Sequence, residues 1–210
     1  MEPQGAATAL VVLLHGYGAN GDDLIALADG WRGWLPEAVF VAPNAPETIP
    51  GMMGALQWFP LTFRDPGERW RGVVAARPAL DRFLDAELAR YRLGPERLVL
   101  AGFSQGTMLA LHVGLRRSAP PAAVVGYSGL LAGPEHLTDI TARPPVLLIH
   151  GEADDLIPVD ALHSAREQLA AARVGVEWHV RPNLGHGIDP EGQPLAAHFM
   201  VNALSGPKPP

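Results

Sequence analysis

Short apolar runs recur along the chain and alternate with longer segments of helical periodicity. Several runs are almost entirely apolar, which is typical of strands covered on both faces. The runs predict strands at Ala9–Leu14, Ala38–Ala42, Arg97–Ala101, Ala122–Tyr127, Val146–His150 and Val176–Arg181.

Helical spacing marks the segments between these runs. One helix is predicted to stop at Gly94-Pro95, and its apolar positions are Leu80, Phe83, Leu84, Leu88 and Tyr91. Gln105–Arg117 is apolar almost all round, which predicts a buried central helix. Further helices are predicted at Asp160–Arg173, with Gly175 as its end signal, and at Gln193–Ala203. This alternation predicts a mainly parallel sheet with right-handed crossovers.

The segment Pro43–Arg71 departs from the pattern, because it is rich in Pro, Gly, Met and aromatic residues. An irregular stretch of this length is functional or mobile. The chain of 210 residues is long enough for one domain with a sizeable core, so we expect a single domain over 1–210, with 206–210 as a frayed tail.

Composition excludes several classes of partner and site. The net charge of −6 gives no reason to expect nucleic acid, and the absence of Cys excludes disulfides and thiolate metal sites. No apolar run is long enough for stable membrane insertion. The first five residues carry no basic segment before an apolar core, so we expect no signal peptide and a cytoplasmic location.

One serine stands in a sequence that favours reactivity. Gly102-Phe103-Ser104-Gln105-Gly106 lies between an apolar strand and an apolar helix. Such a strand–turn–helix places the hydroxyl on a strained turn, beside the free amides and the positive dipole end of the helix. Glycine is needed on both sides because neighbouring backbone would collide with a Cβ. The pattern predicts a nucleophilic serine.

A nucleophilic serine needs a base and an acid that orients the base. His186 follows the last predicted strand between two glycines, and we interpret it as the base. Asp154 and Asp155 follow the preceding strand and compete for the acid role, with Glu152 as a third candidate. The order Ser, Asp, His is one of those expected for this geometry.

The loop after the first strand is rich in glycine. It could aim a backbone amide at a developing oxyanion, together with the amide that follows the nucleophile. Gly16, Gly18 and Gly21 also spell a dinucleotide fingerprint, but no acidic residue ends a second strand at the required distance. We therefore predict no dinucleotide. The histidine spacing gives no metal site, and we expect no cofactor.

The aromatic residues of the irregular segment allow two interpretations. Trp58 and Phe59 line an acyl pocket or form a packed cap over the sheet. Exposed Met52, Met53 or Trp58 could form a patch that supports a homodimer.

Together, several motifs resemble the phospholipase/carboxylesterase family of α/β-hydrolases, which includes the acyl-protein thioesterases. They occur in family order over essentially the whole chain, as Leu14-His15-Gly16-Tyr17-Gly18, Gln57-Trp58-Phe59, Gly102-Phe103-Ser104-Gln105-Gly106, His150-Gly151-x-x-Asp154-x-x-x-Pro158 and Gly185-His186-Gly187. One departure is Thr107, where a small residue, often Gly, commonly follows the elbow, and we expect it to tighten the helix packing.

The resemblance implies an α/β-hydrolase fold without a large lid domain. It places the acid at Asp154 rather than Asp155, and the oxyanion donors at the backbone amides of Tyr17 and Gln105. It implies a serine hydrolase of carboxylic esters with short to medium acyl chains, and of acyl thioesters or lysophospholipids. Two alternatives stay open: a dienelactone hydrolase, a group that normally uses the Cys this chain lacks, and a non-catalytic α/β-hydrolase that acts as a binding module.

Overall fold

The computed structural model describes residues 1–3, 5–62, 64–65 and 67–206, and these form a central sheet of six parallel strands. The strands of the sheet are β1 (Ala9–Leu14), β2 (Ala38–Val41), β5 (Leu98–Phe103), β6 (Ala123–Tyr127), β7 (Val146–Gly151) and β8 (Val176–Arg181), and β3 (Glu47–Thr48) pairs with β4 (Leu56–Gln57) in a separate hairpin. Their order across the sheet is β2-β1-β5-β6-β7-β8. All the predicted strands are confirmed, with small shifts at their ends.

Helices cover both faces of the sheet, as the fold class requires. They are α1 (Gly21–Ile25), α2 (Leu27–Trp31), α3 (Glu68–Tyr91), α4 (Gln105–Gly114), α5 (Asp160–Ala171) and α6 (Gly192–Ser205). Helices α3, α4 and α5 pack on one face, whereas α1, α2 and α6 pack on the other. Short 3₁₀ turns lie at Pro95–Arg97 and Pro134–Asp139.

Strand β1 shows why the apolar runs are continuous. Leu10, Val12 and Leu14 belong to the core beneath α3, α4 and α5. Val11 and Leu13 alternate with them and belong to the core beneath α1, α2 and α6. Successive side chains of a strand point to opposite faces, so a strand covered on both sides needs apolar residues throughout. Each buried side chain of this size contributes about 1.5–3 kcal/mol.

The predicted end signal of α5 was wrong. The left-handed residue after this helix is Arg173, with φ of 61°, and not Gly175. The amide of Val174 donates to the carbonyl of Leu169 over 2.9 Å, which closes the helix end and brings Val174 into the core. Burial of Val174 therefore decides where the chain turns. Helix α3 ends in the same way, with Arg92 in the left-handed region ahead of Gly94.

The irregular segment is more ordered than its composition indicates. It contains the β3–β4 hairpin, and α3 begins inside it at Glu68. The described residues form no separate lid domain. Trp58 was predicted as exposed, but it is buried, because its ring packs beside His15 and its Nε1 donates to the carbonyl of His15. Met52 and Met53 are exposed, and the homodimer stays a prediction.

No helix within the described residues is long and apolar enough to cross a membrane. The predicted frayed tail lies mostly outside the described residues, since only its first residue, Gly206, is described.

Candidate active site

Ser104 occupies a tight turn between β5 and α4. Its φ of 53° and ψ of −115° are strained for a residue with a side chain. A Cβ on Gly106 would lie 1.9 Å from the carbonyl oxygen of Leu14, and a Cβ on Gly102 would lie 2.5 Å from the backbone of Gly106. The two glycines therefore let α4 approach β1 and β5 closely enough to hold Ser104 in this conformation.

Strand β6 and the first turn of α4 brace the elbow. The amide of Ser104 donates to the carbonyl of Tyr127 over 2.9 Å. The hydroxyl of Thr107 lies 2.8 Å from the carbonyl oxygens of both Gly102 and Tyr127. A Cβ on Gly126 would lie 2.5 Å from the Cγ2 of Thr107, so the helix packs tightly on the sheet at this position.

His186 and Asp154 meet beyond the ends of β8 and β7. The Nδ1 of His186 donates to the Oδ2 of Asp154 over 2.8 Å, which leaves Nε2 as the acceptor of the neutral ring. The ring of His186 lies 5.0 Å from that of Phe103, the residue before Ser104. Ser128 supports this loop, because its hydroxyl donates to the carbonyl of Gly187 over 3.2 Å.

The carboxylate of Asp154 is buried and held by several donors. Its Oδ1 accepts from the amides of Leu156 and Ile157 over 3.0 and 2.9 Å, and the Nε2 of His150 lies 3.2 Å from Oδ2. Burial alone would raise the pKa of Asp154, but the amide of Ile157 and the ring of His186 outweigh it and hold the pKa below its usual value. Asp154 therefore stays ionised beside His186.

The other two acid candidates point elsewhere. Asp155 is exposed and makes no hydrogen bond to His186. Glu152 is also exposed, and its carboxylate accepts from the amide of Asn183. The structure thus brings Asp154 to His186 and leaves Asp155 at the surface.

Several hydrogen bonds fix the loop after β1. The Nδ1 of His15 donates to the carbonyl of Gly16 over 2.8 Å, and its Nε2 accepts from the amide of Ala45 over 3.0 Å. The amide of Gly18 donates to Leu56 of β4 over 2.9 Å. Tyr17, between these anchors, lines the same cleft as Ser104.

The side chain of Gln105 links the elbow to the loop after β4. Its Oε1 accepts from the amide of Trp58, and its Nε2 donates to the carbonyl of Phe59, each over 2.8 Å. As the first residue of α4, Gln105 also has a backbone N–H without an acceptor inside the helix. Trp58 in turn holds the carbonyl of His15. Gln105 and the loop that carries Tyr17 are thus joined through Trp58.

The structure does not place Trp58 and Phe59 in the serine cleft. Both are buried and line a neighbouring cavity of about 470 Å³, beside Gly72 and Ala76 of α3. A Cβ on Gly72 would lie 2.2 Å from the ring of Phe59, so this ring packs directly against the helix. Their packing against α3 is that of a cap over the sheet, and a role in acyl binding stays a prediction.

A cleft of about 340 Å³ opens over the serine. It is lined by Gly16, Tyr17, Ala19, Leu61, Arg69, Phe103, Ser104, Gln105, Met108, Leu156, Ile157 and His186. Sequence reasoning missed Leu61, Arg69 and Met108, since only tertiary packing brings them to the serine. Leu156 and Ile157 directly follow the acid candidates in the sequence, so their position could have indicated that they lie at the site. Within the described ranges, no group of His, Asp and Glu could hold a metal ion.

A parallel sheet with helices on both faces and a serine on a strand–turn–helix elbow defines the α/β-hydrolase class. Comparison with known proteins agrees. A family model described as Phospholipase/Carboxylesterase matches residues 1–203. The chain belongs to this family, and it is a hydrolase of the carboxylesterase/thioesterase type.

Individual relatives cover nearly the whole chain. The crystal structure of esterase PE8 superimposes with a TM-score of 0.93 at 42% identity, over 97% of this chain and 96% of that one. Acyl-protein thioesterase 1 of Gibberella zeae is 28% identical over 94% of this chain and 91% of its own length. Acyl-protein thioesterase 1 of Schizosaccharomyces pombe is also 28% identical, over 99% of this chain and 96% of its own length.

Proposed function

We propose that the protein hydrolyses carboxylic esters with short to medium acyl chains through a triad of Ser104, His186 and Asp154. The observation that carries this proposal is the hydrogen bond between His186 and the buried Asp154, in a cleft that also contains Ser104 on its strained elbow. The bond holds the proton on Nδ1, so Nε2 can take a proton from the serine.

The reaction proceeds in two acyl transfers. His186 accepts the proton of Ser104 while the serine oxygen bonds to the ester carbonyl carbon. The tetrahedral oxyanion is stabilised by the amides of Tyr17 and Gln105. The bond to the leaving group then breaks, and His186 returns the proton to it. Water attacks the acyl-enzyme in the same way, and the acid leaves as Ser104 regains its proton.

The walls of the cleft support an apolar acyl group. Leu61, Met108, Leu156 and Ile157 line it, and its volume of about 340 Å³ lies at the small end of the range for ligand sites. The names of the curated relatives extend the proposal to acyl thioesters, which present the same carbonyl to the same groups. Lysophospholipids are a further candidate for the same reason.

Loss of the serine hydroxyl tests the proposal. Ser104→Ala should lower kcat for a short p-nitrophenyl ester by about a thousandfold or more, and should abolish labelling by a fluorophosphonate probe. Ser164→Ala, on the exposed side of α5, is the matched control and should retain both. Normal turnover by Ser104→Ala would contradict the proposal. A wild-type protein that is not labelled would favour a binding module.

The acid assignment is tested by a matched pair of variants. Asp154→Asn should lower kcat by two or more orders of magnitude, roughly as for other triads, whereas Asp155→Asn should have little effect. The reverse result would transfer the role to Asp155.

A panel that varies acyl length against oxygen and sulfur leaving groups then identifies the preferred substrate. Dienelactone hydrolysis at rates that rival simple esters would revive that alternative.

A further inference from the structure

We propose that Arg69 is a specificity-determining residue that selects esters carrying a carboxylate or phosphate close to the scissile carbonyl. This inference rests on the proposed function, since it names the substrate class for the cleft that contains Ser104. It begins from the charges of the cleft lining.

The lining of the serine cleft carries basic groups without an acidic one. Arg69 and His186 are its titratable side chains besides Tyr17, and no Asp or Glu contributes to it among the described residues. Asp154 lies behind His186 and does not line the cleft. A substrate bound over Ser104 therefore meets a cation and apolar walls.

Arg69 is partly exposed, and its guanidinium forms no hydrogen bond, ion pair or ring contact with the described residues. Two neighbouring arginines of α3 are paired, Arg71 with Asp65 and Arg77 with Asp81. Arg82 has no partner among the described residues either, but it is exposed and lies outside the cleft. An arginine that the fold leaves unpaired keeps its donors for a ligand.

The position of Arg69 within α3 is unfavourable for a cation. It is the second residue of a helix of 24 residues, where the dipole has its positive end. Glu68 precedes it as the acidic residue of the first turn, and its carboxylate accepts from the amide and the hydroxyl of Thr62. An anionic substrate would give Arg69 an acidic partner of its own.

Packing around the neighbouring Trp70 fixes the first turn of α3. The ring of Trp70 stacks on His136 with 3.9 Å between centroids and 10° between planes, and Arg116 lies over it at 5.0 Å. A Cβ on Gly133 would lie 2.3 Å from this ring. The backbone beneath Arg69 is therefore held in place, which reduces the entropy lost when its side chain binds.

The chemistry of the guanidinium identifies the ligand class. Its planar donors match the two oxygens of a carboxylate or phosphate, and such charge-assisted pairs are stronger than neutral hydrogen bonds. The anion can belong to the acyl group, as in the half-ester of a dicarboxylic acid, or to the leaving group, as in the ester of a hydroxy acid. Both sources present the same group to Arg69.

Three phenolic esters of similar size separate these cases. Phenyl butyrate is neutral, phenyl hemisuccinate carries its charge on the acyl group, and 3-(butyryloxy)benzoate carries it on the leaving group. Product release is followed by chromatography for the wild type and for Arg69→Gln, Arg69→Lys and Arg71→Gln. Arg71→Gln is the matched control, because it removes the same charge two residues away and outside the cleft.

Arg69→Gln should lower kcat/KM about tenfold for at least one anionic ester while phenyl butyrate changes by less than about twofold. Arg69→Lys should retain part of the preference, and Arg71→Gln should retain all of it. The anionic ester that loses activity shows which side of the substrate meets Arg69.

An unchanged ratio of anionic to neutral ester in Arg69→Gln, or an equal loss on all three esters, would overturn the inference. So would an equal change of the ratio in Arg71→Gln. In each case Ser104-dependent hydrolysis of phenyl butyrate would leave the proposed function intact. A wild type that cleaves none of the three esters would overturn both.

Discussion

Individual residues of this protein show how burial keeps histidines neutral. His15, His112 and His150 are all buried, and burial lowers the pKa of each below its ordinary value. His15 and His150 hold backbone groups of loops at the cleft. His112, on α4, has an Nδ1 with no hydrogen-bond partner among the described residues, and its pKa falls to about 3.

This neutral histidine predicts acid sensitivity. The unfolded chain protonates His112 near pH 6.5 and the folded protein only near pH 3, so stability is lost as the pH falls below about 6.5. Each pH unit in this window costs about 1.4 kcal/mol. Between pH 7 and pH 5, His112→Leu should therefore lose about 2 kcal/mol less than the wild type.

Urea unfolding at the two pH values measures this difference. The control is His198→Gln on the exposed side of α6, which should keep the wild-type pH dependence because its side chain reaches solvent in both states. An equal loss of unfolding free energy between pH 7 and pH 5 in the wild type and in His112→Leu would contradict the prediction. It would show that the ring is protonated as readily in the folded protein as in the unfolded chain.

At the scale of elements, the elbow depends on how closely α4 approaches β1. The carbonyl oxygen of Leu14 occupies the space that a Cβ on Gly106 would need. No relaxation of a flexible side chain can relieve this overlap, because both groups belong to the backbone. Gly106 is therefore needed for the close packing of α4 on β1 as well as for the conformation of Ser104.

A pair of glycine substitutions tests this requirement. Gly106→Ala should lower the free energy of unfolding by roughly 3 kcal/mol or more, because a strand or helix must shift. Gly175→Ala, where a Cβ would have nothing within 4 Å, should change it by less than about 1 kcal/mol. Urea midpoints of both variants give the comparison, and equal midpoints would contradict the tight contact.

At the scale of the whole molecule, the two hydrophobic cores share one sheet. The side chains of β1 alternate between the two cores, so each core needs this strand in place in order to form. This arrangement predicts that the described residues unfold in one cooperative step, as small domains commonly do. A single transition would support the expectation of one domain.

Removing a tryptophan from one core lowers the share of that core in the fluorescence signal of the five tryptophans. Trp31 belongs to the core beneath α1, α2 and α6, and Trp58 to the opposite one. Urea unfolding of Trp31→Phe should give the same midpoint by fluorescence as by far-ultraviolet circular dichroism. The two midpoints should also agree for the wild type. Separate transitions would indicate two independent units.

Much of this organisation could be predicted from the sequence. The strand positions follow from short continuous runs of apolar residues, which are a local property. The elbow follows from two glycines that flank Ser104, because backbone sterics act over a few residues. The order of acid and base after later strands follows from the shared edge of a parallel sheet. The sequence thus determined the fold class and the candidates for the reaction.

Tertiary structure decided how the candidates are arranged, including the contact of Asp154 with His186 that the family resemblance had implied. Asp154 rather than its neighbour meets His186 because the turn after β7 directs two amides to its carboxylate. Trp58 is buried and donates to the carbonyl of His15. Arg69 lines the cleft from α3, a helix that begins inside the irregular segment. Side-chain neighbours across the fold depend on how distant elements pack, and no local period or motif encodes that packing.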